Sequence, residues 1–255
     1  MSGPHRHLHL HGDNPAARRA PEAKLAGLFL FVLLVALTPT RWMIPIGAEA
    51  VIVGLTVAAA SLPWRVVLRR LVTITPFIAF AFLLPFVVSG PRMAVGPLHL
   101  SQTGLWNAFG IVSKAIIGAS ATIVVASTTS VPDVVTGLRK LHLPAVIVTI
   151  MSFMWRYLDL IAADSGRMRQ AMSARGYQPR WLWQARPLAN ATGALFVRSY
   201  ERGERIHQAM LARGFDGVMP EPSRTRPVTG TDWAISLLPA VGAAVALIIG
   251  AWYGS

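Results

Sequence analysis

Long apolar runs with almost no charge constrain this chain more than any other feature. Leu25–Thr40, Trp42–Pro63, Leu71–Pro91, Met93–Pro132 and Trp233–Ser255 contain no Lys, Arg, Asp or Glu apart from Glu49 and Lys114. A membrane-crossing helix needs about 20 such residues, with a lower bound near 17. Unpaired backbone groups are too costly in hydrocarbon for any open form but helix. The chain therefore reads as an all-α membrane protein with about five transmembrane helices plus a helical module outside the bilayer. The first run is short, but Lys24 and Arg41 at its ends can reach toward the headgroups. Hydrophobic residues make up 53% of the chain and charged residues 14%, far from the balance of a soluble domain.

The net charge of +13 falls mostly outside those runs, so it reports topology. Arg65, Arg69 and Arg70 mark the loop after the second run as cytoplasmic, whereas Arg41 and Arg92 stand alone in the loops opposite. That places the N-terminus inside and returns the chain inside at Ser127–Leu143. Residues 163–231 hold eleven Arg and belong on the same side. Ala145–Trp155, an apolar run of only about 16 Å at helical rise, lacks the length to cross before Arg156 and Asp159. Parity also forbids one crossing there, so a membrane-surface or re-entrant helix is expected from Pro144. The expected organisation is a His-rich cytoplasmic tail (1–24), four spans (25–143), interfacial and cytoplasmic helices (144–231) and a final span (232–255). The polar first 24 residues do not read as a secretory signal.

The segment 163–231 reads as helix with breaks at Gln178–Pro179 and Pro187. Before it, Ser130-Val-Pro-Asp133 offers a cap, a proline and an acid at a helix start, with Arg139 and Lys140 near the end of a short interfacial helix. Within the segment the chain repeats itself: MRQAMSARGY at Met168–Tyr177 returns 38 positions later as IHQAMLARGF at Ile206–Phe215. Met168, Ala171, Met172 and Arg175 share one helix face, as do Ile206, Ala209, Met210 and Arg213. Gly176 and Gly214 can each take the left-handed conformation that ends a helix. An Arg in that last turn suits the negative end of the dipole and points its donors past the tip. Met supplies adaptable apolar surface and Ala permits close approach, a pattern suited to seating a helix in a groove that offers a carboxylate. One copy alone reads as an ordinary helix ending packed on the protein's own membrane part. Two copies with the same face read as two plugs, and duplicated plugs suggest two identical sockets.

The two Ala-Arg-Gly signatures, Ala174-Arg175-Gly176 and Ala212-Arg213-Gly214, precede a late final span. With them stand the N-terminal HRHLHLHGD, Ser113-Lys-Ala115, Thr128–Asp133 and Leu143–Pro144. In these features, and over essentially its whole length, the chain resembles the CbiQ family, the transmembrane T components of energy-coupling-factor cobalt transporters. The resemblance implies a non-catalytic subunit that joins two ATPase subunits, carrying ATP and Mg, to a separate substrate-binding membrane subunit and a small accessory one. It also implies that each Ala-Arg-Gly helix sits in an ATPase groove. Nickel or vitamin transport, and a passive membrane scaffold, are the alternatives.

Other chemistry finds little support. The chain has no cysteine, hence no disulfides and no thiolate chemistry, and no G-x-x-x-x-G-K-[ST] phosphate loop. Its Arg residues lie among helical apolar positions without a stacking platform, so membrane lipid and acidic protein are better partners than nucleic acid. A membrane-embedded enzyme would need several polar side chains at one depth, and only Glu49 and Lys114 qualify. Those two are expected to pair between the second and fourth spans, or one of them to face another subunit. His5, His7, His9 and His11 alternate, so an extended tail would turn all four imidazoles to one side, as a weak transition-metal site or as a solvated tail.

Overall fold

The structure, a computed structural model, describes residues 19–88, 91–95, 98–177, 185–217 and 228–253. These residues fall into two compact units.

The larger unit opens with α1 (Pro21–Leu37) and α2 (Met43–Ala59). At 17 residues each rises about 25 Å, close to the lower bound for a crossing. The third apolar run is a broken helix: α3 (Trp64–Leu71), a 3-10 turn (Val72–Ile74), α4 (Thr75–Ala81) and α5 (Leu84–Val87). Pro76 and Pro85 stand in the first turns of α4 and α5, where a missing N–H is tolerated. The breaks are stitched locally, by the Thr75 hydroxyl donating to the Val72 carbonyl at 2.6 Å and by the Phe82 and Leu83 amides donating to Ile78 and Phe80. Arg65, Arg69 and Arg70, expected in a loop, lie on α3, and Arg70 donates to the Ser127 hydroxyl.

The fourth run also starts later than its lack of charge suggests. Met93 belongs to β1 (Arg92–Val95), which pairs antiparallel with β2 (Leu98–Ser101), Arg92 opposite Ser101 and Val95 opposite Leu98. Helix begins only at α6 (Gln102–Thr128), where the Ser101 hydroxyl accepts from the Gly104 amide at 3.3 Å. The next helix, α7 (Val131–Lys140), starts where Ser130 signalled it. The Ser130 hydroxyl accepts from the Asp133 amide at 3.3 Å and donates to the Asp133 carboxylate. The unit closes with α10 (Gly230–Tyr253), whose first-turn Asp232 accepts from the Thr229 amide and hydroxyl.

Helix α1 is the hub of this unit, packing on α10, α7 and α6, while α10 also packs on α2. Phe31 and Val35 of α1 meet Val53 and Val57 of α2, Ile117 of α6 and Ala240 and Ala243 of α10 in one buried cluster. Close approach of α1 and α10 depends on Gly27, where a β-carbon would stand 2.2 Å from the Ser236 carbonyl oxygen. Gly27→Leu is expected to cost about 1–3 kcal/mol through overpacking, seen as a lower unfolding temperature of the detergent-solubilised protein. Gly47→Ala, with nothing within 4 Å, is expected to leave that temperature unchanged.

The second unit consists of α8 (Ala145–Ala174) and α9 (Arg186–Leu211). Helix α8 begins after Pro144 as expected, but it does not end near Arg156. It runs unbroken for 30 residues through Arg156 and Asp159, so the length argument against a crossing is removed. Those two charges fall in mid-helix, where long side chains need not break the backbone pattern. Pro187, expected as a break, stands in the first turn of α9, where proline starts a helix. Gln178–Pro179 lie outside the described residues. Among the described residues, four helical segments are long and apolar enough to cross a membrane: Trp64–Val87, Gln102–Thr128, Ala145–Ala174 and Gly230–Trp252. Met43–Ala59 is a shorter apolar helix. The chain is an all-α, multi-pass membrane protein.

Candidate functional site: the paired helix ends

The two repeated phrases end their helices in the same backbone geometry. At the end of α8 the Gly176 amide donates to Ser173 at 3.0 Å and the Tyr177 amide to Met172 at 3.1 Å, with Gly176 at φ +79°. At the end of α9 the Gly214 amide donates to Leu211 and the Phe215 amide to Met210, both at 3.0 Å, with Gly214 at φ +80°. Both ends are Schellman closures, in which glycine turns left-handed and two otherwise orphaned helix carbonyls find donors.

Burial repeats as well. Met168, Met172 and Tyr177 are half-buried in the first copy, as are Ile206, Met210 and Phe215 in the second. Ala171, Ala174, Arg175 and Gly176 are exposed, and so are Ala209, Ala212, Arg213 and Gly214. The face expected from helical spacing therefore straddles a boundary. Its larger apolar members turn partly inward, while the small residues and both guanidiniums stay outward.

A contact that spacing did not suggest joins the two helices. Asp164 of α8 accepts from both terminal nitrogens of Arg202 of α9 at 3.2 Å each, and from Arg167 one turn along its own helix. The hydrogen bond from Arg167, reinforced by Arg202, holds the Asp164 carboxyl below the ordinary carboxylate range. Asp164 and Arg202 are separated by 38 residues, the same offset as the repeat. The helices thus meet at equivalent positions of the two copies. Eleven residues separate Asp164 from Arg175, and eleven separate Arg202 from Arg213, so each arm reaches about 16 Å from the junction. On one side Phe153, Tyr157 and Ile161 of α8 and Ile206 and Met210 of α9 enclose a cleft of about 370 Å³. The N-terminal arm of α8 thus runs beside the C-terminal arm of α9, and the two Ala-Arg-Gly ends diverge from a shared junction. Opposite charges at one register of a repeat are the sequence signal that could have exposed this pair.

Glu49 and Lys114 lie in the other unit and, among the described residues, form no direct ion pair. Both serve the C-terminal end of α1 instead. Glu49, fully buried, accepts from the Thr38 hydroxyl at 2.6 Å, and Lys114 donates to the Ala36 carbonyl at 2.9 Å. Ala36 offers one of the last carbonyls of α1, which has no partner within its own helix, and a cation there complements the dipole. His5, His7, His9 and His11 lie outside the described residues. Within the described residues no group of three or more His, Cys, Asp or Glu side chains is placed to hold a metal ion.

Comparison with known proteins gives the family of the chain. The family profile described as "CbiQ: Cobalt transport protein" matches residues 12–225. The chain is 30% identical to the cobalt transport protein CbiQ of Rhodobacter capsulatus over 52% of its own length and 55% of that protein's. It thus spans little more than half of that relative. It is 25% identical to the energy-coupling factor transporter transmembrane protein EcfT of Bacillus subtilis over 81% of this chain and 82% of that one. With the nickel permease LarQ of Lactiplantibacillus plantarum the identity is 28%, over 78% and 67%. With most of its length matched by one profile, the chain belongs to the CbiQ family of cobalt transport proteins.

Proposed function

We propose that this chain is the energy-coupling transmembrane component of an energy-coupling-factor cobalt transporter, and that it carries motion from two ATPase subunits to a separate substrate-binding membrane subunit. The observation that carries the reading is the pair of helix ends with equal geometry, equal exposure and equal distance from the Asp164–Arg202 junction. Equivalent plugs fit equivalent sockets, as two copies of one ATPase provide. Arg175 and Arg213 each pair with a carboxylate in such a socket, and Ala171 and Ala209 let the groove wall approach.

In this reading the N-terminus is cytoplasmic, and the five crossings are α1, α2, the broken α3–α5 segment, α6 and α10. Both ends of α8 then face the cytoplasm, so α8 lies along the membrane despite its length. ATP and Mg are held by the partners, and this chain does no chemistry. Opening and closing of the ATPase pair changes the separation of the two sockets, and the diverging arms convert that change into movement against the substrate-binding subunit. Nickel is the second reading, favoured by the resemblance to a nickel permease over 78% of this chain.

Reconstitution of the chain with its candidate ATPases and substrate-binding subunit tests both. ATP-dependent uptake of radiolabelled cobalt that requires this chain is the expected result, with nickel competing weakly. Uptake that persists without the chain would remove the coupling role. Uptake of nickel in preference to cobalt would change the cargo and leave the role intact.

A further inference from the structure

Positive charge gathers on one short helix of the larger unit. Arg65, Arg69 and Arg70 all lie on α3, and the chain has no acidic residue between Glu49 and Asp133. Glu49 is buried against Thr38, and Asp133 caps α7 with Ser130. Helix α3 packs on α6 and on the 3-10 turn that follows it, and neither contains a carboxylate. Arg70 donates to the Ser127 hydroxyl of α6. Arg65 and Arg69 are exposed and make no hydrogen bond or ion pair among the described residues.

The helix that carries them is held in a fixed orientation. Before it, α2 ends in a Schellman closure: the Ser61 amide donates to Ala58 at 2.9 Å and the Leu62 amide to Val57 at 3.3 Å, with Ser61 at φ +50°. Leu62 and Val67 are then buried in the core cluster of the unit, so one side of α3 is locked inward. Successive residues turn by about 100° around a helix. Trp64 and Leu68 therefore form one outward strip and Arg65 and Arg69 the strip beside it, while Val67 and Arg70 point the other way. Trp64 and Leu68 are 55% and 61% exposed. A merely solvated basic face would not set a tryptophan and a leucine edge to edge with its arginines. An apolar strip beside a cationic one, on a helix that opens a membrane-crossing segment, matches the boundary between acyl chains and phosphates.

We propose that the outward side of α3 is a docking surface for anionic phospholipid, with Trp64 and Leu68 against the acyl chains and the Arg65 and Arg69 guanidiniums on the headgroup phosphate. Side chains four apart on a helix are neighbours, and guanidinium matches phosphate geometry in paired hydrogen bonds. Charge selects among lipids: a zwitterionic headgroup brings a cation of its own to the two arginines. An acidic protein surface would satisfy the arginines, but a phospholipid offers the anion and the hydrocarbon side by side. The surface is independent of the coupling role, because the isolated chain can fill it.

Val72, 66% exposed and one turn beyond Leu68, can carry a reporter because the chain has no cysteine. The full chain with Val72→Cys, labelled with bimane, is reconstituted in vesicles of equal parts phosphatidylglycerol and phosphatidylcholine, with the acyl chains of one or the other brominated. The expected result is quenching that reports a roughly thirtyfold preference for phosphatidylglycerol at the label. Arg65→Gln/Arg69→Gln should bring the two lipids to near parity, and Arg65→Lys/Arg69→Lys should keep most of the preference because it keeps the charge. Equal quenching by the two lipids in the wild-type background, or a preference unchanged in the glutamine variant, would overturn the proposal. So would a label that neither lipid quenches but that added ATPases shield, since the face would then belong to an acidic protein.

Discussion

Arg175→Glu/Arg213→Glu is expected to abolish co-purification of the ATPases and to reduce metal uptake to that of cells lacking the chain. Each substitution replaces a cation at an exposed helix end with an anion, and a socket that offers a carboxylate then repels what it had held. In the proposed docking the pair matters more than either member, because two ends on one chain would bind two linked sockets with the avidity of an intramolecular second contact. Loss of one end forfeits that advantage, about a hundredfold or more, so either single variant should already co-purify poorly. The double variant should nevertheless insert and fold as wild type does, since both side chains are exposed and the glycine closures behind them are untouched. Co-purification at the wild-type level from the double variant would mean that the helix ends do not dock.

Arg202→Glu should have the second largest effect, by a different route. It sets two carboxylates against each other where the arms meet, while both helix ends keep their local geometry. The ATPases should still bind at each end, because Arg175 and Arg213 are unchanged. Transmission should fail: ATP-dependent uptake is expected to fall about tenfold or more, within the range of coupling between linked sites. Adding Asp164→Arg restores an opposite-charge pair and should recover much of the uptake. A fall in uptake without recovery would reduce the junction to a local packing contact.

Helix caps and stops were legible in the sequence because they are made by neighbours. Ser130 and Asp133 cap α7 within four residues of one another, and Gly176 and Gly214 close their helices through amides that lie within five. The repeat and its exposed arginines were legible for the same reason. What lay beyond local reading depended on partners distant in the chain. The absence of charge between Met93 and Ser101 concealed a hairpin, since an uncharged stretch fits strand and helix alike until a cap such as Ser101 decides. Arg156 and Asp159 looked like the end of an apolar piece, yet helix continues through them. Glu49 and Lys114 looked like a pair because lone charges in hydrocarbon require partners, and the C-terminal end of α1 provided one for each. The Asp164–Arg202 junction follows from the way two helices cross, which no single helix records.

The chain contains no cysteine, so new thiols can be placed one at a time. Ala171→Cys and Ala209→Cys put a thiol on the exposed side of α8 and of α9, one turn before the arginine of each repeat. The most direct measurement is thiol cross-linking of these variants to the assembled ATPases, with the mass of each product determined. Paired docking predicts one ATPase on each single variant and two copies of the ATPase on the double variant. A double variant that captures a single ATPase, or single variants that cross-link to lipid-facing membrane partners instead, would contradict it.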